Sequence, residues 1–211
     1  NAARYSVHFL LQKADDDSRT LTSNDYNITF DEDGNYHFSS KFEESGSRID
    51  AVTDKDTQTP ITPLDFPGFD LVSDKARYSN GGNDTVGVTL ANGCYTISPQ
   101  SSGTDLFIFY SREQYPYKVY YLLYGANTTE SALATYTTTD ADTNDPKVVL
   151  ADTDGIDPVL YSLYQTDFTA TAKTIPGYTC ISQNTISRET SPEASKNYII
   201  FYYTHVQYTV Q

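Results

Sequence analysis

Three short strand-like patterns occur twice along this chain, in the same order. Tyr5-Ser-Val7-His-Phe9-Leu-Leu11 matches Tyr117-Lys-Val119-Tyr-Tyr121-Leu-Leu123, and Pro67-Gly68-Phe69 with Val72-Ser73 matches Pro176-Gly177-Tyr178 with Ile181-Ser182. Leu106-Phe-Ile108-Phe109-Tyr110 then matches Tyr198-Ile-Ile200-Phe201-Tyr202. A chain that repeats at such a period folds as an array of similar units, each with its own core. The offsets are 112, 109 and 92, so the first copy carries an insertion of 17 residues (109 − 92), placed in the Gly/Asn-rich stretch 80–93. Tyr208-Thr-Val210 restarts the opening pattern at the end of the chain. We expect modules at 1–113 and 116–204, with 205–211 starting a further repeat or a linker. On this reading the chain is a monomeric fragment of something longer.

The local patterns are those of strands. Tyr5, Val7, Phe9 and Leu11 alternate with Ser6, His8 and Leu10, the period of a half-buried strand, and Tyr117–Leu123 repeats it. The closing runs Leu106–Tyr110 and Tyr198–Tyr203 have no polar alternation, which suits a central strand covered on both faces, with Ile108 and Ile200 in the core. Helical spacing is scarce. Glu130–Tyr136 and Pro158–Thr169 are the two candidates, the second with Asp157 as N-cap and Pro158 at the first helical position. The expectation is a mostly β (α+β) chain with at most one short helix per module.

Charge excludes several partners. The 211 residues carry 28 acidic against 14 basic side chains, a net charge of −14, which repels phosphate backbones and anionic lipid surfaces. Nucleic acid is therefore not an expected partner, and no apolar run approaches the roughly 18–20 residues of a membrane span. Cys94 and Cys180 are too few for a disulfide scaffold and match no zinc spacing. They are small apolar side chains unless the fold brings them together.

Candidate chemistry is sparse. No Gly-x-Ser-x-Gly elbow or His-Glu-x-x-His occurs. His8 and His37 fall in strand-like runs and His205 follows the last strand, so solvent-facing positions are expected, and no catalytic residue is assigned. Asp140, Asp142, Asn144 and Asp145 place oxygen ligands at alternating positions, as a hard cation prefers, so calcium is the possible cofactor if there is one. No glutamate stands at the twelfth position of that loop, and solvated turns are the competing reading. Tyr115, Tyr120, Tyr124 and Tyr203 are candidate ligand-binding rings, since an amphipathic ring suits stacking on a sugar. The same rings would equally serve to cover a thin β-core.

The order of these motifs resembles the MucBP-like (mucin-binding-protein) repeats of Gram-positive surface adhesins. Residues 117–204 match best, opening on Val119-Tyr-Tyr121-Leu, turning at Ile175-Pro-Gly-Tyr178 and closing on Asn197-Tyr-Ile-Ile-Phe-Tyr-Tyr203. Residues 4–112 match more loosely, with Phe69 in place of a tyrosine. The resemblance implies two tandem β-grasp-like modules, each a small mixed sheet, in an extracellular, cell-wall-attached parent. It further implies a non-enzymatic adhesive or spacer role, with host glycan, mucin or extracellular-matrix protein as partners. An accessory glycan-binding or spacer module of a secreted carbohydrate-active enzyme is the alternative.

Overall fold

The computed structural model describes residues 1–124, 148–149 and 160–206. The side chains of Tyr124, Val148, Val149 and His205 are not among those described. The fold is mostly β, built from several small mixed sheets, and among the described residues there is no α-helix, only three short 3₁₀ segments. None is long and apolar enough to cross a membrane. The chain divides into two compact units, Asn1–Glu113 and Gln114–Gln211.

In the first unit the strands are β1 (Ala2–Gln12), β2 (Ile28–Phe30), β3 (Tyr36–Phe38), β4 (Phe42–Glu44), β5 (Ile49–Asp54) and β6 (Thr59–Ile61). They continue as β7 (Phe69–Leu71), β8 (Arg77–Asn80), β9 (Val86–Gly87), β10 (Leu90–Ala91), β11 (Cys94–Ile97) and β12 (Thr104–Arg112). The first and last lie side by side and parallel, from Tyr5↔Thr104 to Leu11↔Tyr110. Antiparallel β4 and β5 close the outer edge of β1, while β7 and β8 close that of β12. One face of the central pair buries Val7, Phe9, Leu106, Ile108 and Tyr110 against the β6–β11 sheet. The other buries Leu10, Phe107 and Phe109 against Ile28 of β2 and Phe42 of β4. Coverage on both faces is why β12 reads as an unbroken apolar run.

The second unit contains β13 (Gln114–Pro116), β14 (Lys118–Tyr124), β15 (Val148–Val149), β16 (Tyr161–Leu163), β17 (Asp167–Thr171), β18 (Tyr178–Cys180), β19 (Thr185–Glu189) and β20 (Tyr198–His205). Again the opening and closing strands pair in parallel, Val119↔Ile199 and Tyr121↔Phe201, and β18 joins β20 antiparallel. Pairing of β13 with β16 corresponds to that of the start of β1 with β5. Val119, Tyr121, Phe201 and Tyr203 pack with Phe168 of β17.

Structural register corrects the sequence alignment by one residue. Leu106 pairs with Val7, and its counterpart opposite Val119 is Ile199 rather than Tyr198. The closing offset is therefore 93, and the first unit is longer by 16 residues (109 − 93) between the Pro-Gly strand and the closing strand. A slip of one residue in a strand exchanges its two faces. Ile108 is thus equivalent to Phe201, and Ile200 to Phe107 on the opposite face. The backbone bears this out twice over. Val72 N–H donates to Phe109 C=O (2.9 Å) and Ile181 N–H to Tyr202 C=O (2.8 Å), while Glu113 N–H donates to Gly68 C=O (2.9 Å) and Val206 N–H to Gly177 C=O (3.0 Å). Gly68 and Gly177 both hold a left-handed φ, 90° and 82°, which glycine adopts without a Cβ penalty.

The extra residues of the first unit are built into its sheets: β9 and β10 form hairpins with β8 and β11, and fully buried Tyr95 follows them. One further expectation changes. The helix expected over Pro158–Thr169 is, in its described part, β16, a turn and β17. Gln165 sits at φ 65° and Thr166 N–H closes the turn onto Leu163 C=O, a left-handed residue that no α-helix can pass. The other helix candidate, Glu130–Tyr136, lies outside the described residues.

Each unit carries the same tyrosine anchor. Tyr110 Oη donates to Leu64 C=O and Tyr203 Oη to Lys173 C=O, both at 2.6 Å, and both carbonyls stand three residues before the Pro-Gly turn. We expect Tyr110→Phe and Tyr203→Phe each to cost about 0.5–1.5 kcal/mol in denaturant unfolding, the usual net worth of one hydrogen bond. Tyr202→Phe, the position a 92-residue offset would have equated with Tyr110, is expected to change stability by less. A larger loss at Tyr202 than at Tyr203 would reject the register.

Candidate functional site

The densest chemistry in the first unit gathers around His8. The sequence expectation placed this ring in solvent, yet it is 1% exposed. Its face of β1 is covered by β3 and β4, and the ring stacks on Phe107 (4.8 Å, 12°) and tilts against Tyr36 (4.7 Å). Both ring nitrogens meet carboxylates: Nδ1 lies 3.1 Å from Glu44 Oε1 and Nε2 2.8 Å from Asp105 Oδ1. Tyr36 Oη donates to the same Glu44 oxygen at 2.5 Å. At the rim, Asp50 accepts from Ser6 Oγ and from Arg48 Nε, and both hold its carboxyl below the usual range, the serine contributing more. With both nitrogens occupied, His8 is not placed to take a proton from a nucleophile. His37 is on the surface, its Nε2 3.0 Å from Asp31 Oδ2.

In the second unit the candidate rings go inward. Tyr115, Tyr120 and Tyr203 are 8%, 3% and 1% exposed, so none presents a face to a sugar. Each is a strand residue whose ring fills the unit's interior; Tyr203 belongs to the Phe201 cluster and Tyr120 to the opposite one with Leu122 and Ile200. The side chain of Tyr124 and the calcium candidates Asp140, Asp142, Asn144 and Asp145 lie outside the described residues. Among the described residues no cluster of three His, Cys, Asp or Glu is placed to hold a metal. Cys94 and Cys180 are free thiols, one in each unit.

Open concave surface lies at the edge of β20. A groove of about 390 Å³ is lined by Ile181, Ser182, Ile186, Arg188, Ile200 and Tyr202. Burial raises the Tyr202 hydroxyl above its usual value, nearby Tyr198 adds to this, and the Arg188 guanidinium opposes it. No motif announces this groove. Among the described residues of the second unit no strand stands in the place of β8, and the unequal offsets of the repeat are the trace of that difference in the sequence.

No family model matches the chain, and no curated protein matches it. Among solved structures, the crystal structure of Mub-RV, a mucin-binding protein repeat, aligns with 97% of this chain and 100% of that chain at 12% identity. The TM-score of that alignment is 0.21.

The buried tyrosines set a pH limit on the first unit. Burial, followed by the Glu44 carboxylate, pushes Tyr36 up to about 12 from an ordinary 10.0. Burial also raises Tyr95 and Tyr110. The folded state thus holds these protons more tightly than the unfolded chain, so their contribution is complete below pH 10 and is lost as pH rises towards 12. Asp25, Asp31 and Asp50 are lowered, so their contribution is lost as pH falls through and below 3.8. Denaturant unfolding across this range should show the alkaline loss shallower in Tyr36→Phe than in the parent. An unchanged slope would remove Tyr36 as a cause.

Proposed function

We propose that this chain is a non-enzymatic, load-bearing segment of a bacterial cell-surface adhesin, which engages host glycan, mucin or matrix protein or extends the binding tip from the wall. The observation that carries the reading is the parallel pairing of first and last strand, made twice in one chain. Two parallel strands begin at the same end of a sheet, so the chain enters each unit at one pole and leaves at the other. Tension along the chain then slides Tyr5–Leu11 past Thr104–Tyr110, and Lys118–Tyr124 past Tyr198–Thr204. Sliding loads every ladder bond at once, whereas peeling would break them singly. Resistance to pulling is a matter of unfolding rate, and a buried ladder loaded in shear keeps that rate low. Tandem arrangement and the MucBP-like order of motifs support the adhesive context.

Single-molecule stretching of the whole chain from its two ends tests this. Two separate unfolding events are expected, each at forces typical of sheared ladders. Unfolding at the low forces of a peeled hairpin would sink the load-bearing reading. Capture of the chain on immobilised mucin, with an unrelated protein of similar acidity as control, tests adhesion: retention above the control supports binding by these units, and equal retention leaves them the extending role.

A further inference from the structure

In the first unit β8 completes the sheet. It runs antiparallel to the start of β12, with Ser79 opposite Asp105 and Arg77 opposite Phe107. By register the equivalents of Asp105 and Phe107 are Tyr198 and Ile200. Tyr202 shows which way this backbone points: its N–H donates to Ser182 Oγ (3.2 Å) and its C=O accepts from Ile181 N–H (2.8 Å), both on the side away from β14. Backbone direction alternates along a strand, so the N–H and C=O of Ile200 and Tyr198 point the same way. Among the described residues nothing pairs with them there. Beside this bare stretch lies the groove of Ile181, Ile186, Arg188, Ile200 and Tyr202.

We propose that the second unit binds an extended peptide segment of a partner protein, added to β20 as an antiparallel strand at Tyr198–Ile200. The position is one this fold already fills with a strand, since β8 occupies it in the first unit. Main-chain pairing supplies affinity in such strand addition, and side-chain pockets supply selectivity. The groove specifies the side chains: Ile181, Ile186, Ile200 and the Tyr202 ring receive an aliphatic or aromatic residue, and the exposed Arg188 receives a carboxylate. An unprotected edge is otherwise a hazard, and sheets cover, charge or use theirs. This site does not depend on the adhesin reading.

The probe is a synthetic peptide of residues 75–82 with Arg77 replaced by glutamate, which keeps the β8 pattern and complements Arg188. Amide hydrogen exchange on the full chain reads the contact. Slower exchange at Ile200 and Tyr198 on adding peptide, with the amides of β12 unaffected, is expected. Titration of Arg188→Glu should show binding weakened at least tenfold, and because Arg188 is exposed the variant keeps its fold. Absence of slowing at Ile200, slowing centred elsewhere, or equal affinity in Arg188→Glu would overturn the proposal. Slowing at Ile200 that rises with protein concentration and needs no peptide would also overturn it, by making a second copy of the chain the occupant.

Discussion

Everything in either unit is arranged around one contact, the parallel ladder between its first strand and its last. Residues 99 apart in the first unit (106 − 7) and 80 apart in the second (199 − 119) have to meet before the sheet can close, and the entropy of closing that loop precedes any ladder bond. What repays it is burial on both faces: Val7, Phe9, Ile108 and Tyr110 on one side, Leu10, Phe107 and Phe109 on the other. The intervening chain then has two tasks, to cover those faces and to pair the outer edges. Strands β4, β5, β7 and β8 do the second, and the β2–β3 hairpin and the β6–β11 sheet do the first.

The parts of this plan that depend on backbone periodicity were legible in the sequence. Alternation in Tyr5–Leu11, the unbroken apolar runs before Arg112 and Thr204, and the Pro-Gly turns each map onto a strand or its entry. What failed were inferences needing the register of strands distant in sequence. The similarity of Leu106–Tyr110 to Tyr198–Tyr202 is highest one residue away from the true pairing, because both runs are apolar throughout and carry no face information. Over Pro158–Thr169 the apolar residues fit helical spacing, yet the turn at Gln165 decides the outcome, and glutamine does not announce a left-handed residue. His8 looked solvent-facing because alternation with Val7 and Phe9 gives the second face, and nothing local says that Tyr36, Glu44 and Asp105 converge on it.

The candidate site was less legible than the fold, for a reason tied to size. A unit of about a hundred residues has little apolar surface to bury and uses large rings to fill its layers. Tyr110, Tyr121 and Tyr203 therefore sit inside, with Tyr110 and Tyr203 spending their hydroxyls on backbone carbonyls that also fix the Pro-Gly strand. Abundant tyrosine in such a chain is first a packing material. A ring's availability to a ligand follows from which face of which strand it occupies, which is again a question of register.

Comparison of the two units separates what the scaffold requires from what it tolerates. The parallel pair, the Pro-Gly strand and the tyrosine anchor occur in both, because removing any of them exposes the central ladder or frees its edge. Sixteen residues carrying β8, β9 and β10 distinguish the first unit, and they pair with the far edge of the closing strand and with β11. Their loss leaves β14 and β18 still pairing β20, so the core of the second unit survives intact. The consequence falls on sheet edges, where among the described residues the backbone groups of Tyr198 and Ile200 lack the strand partners that Asp105 and Phe107 have. A repeat of this kind can therefore vary its surface by adding or omitting an edge strand without altering the ladder that holds it together.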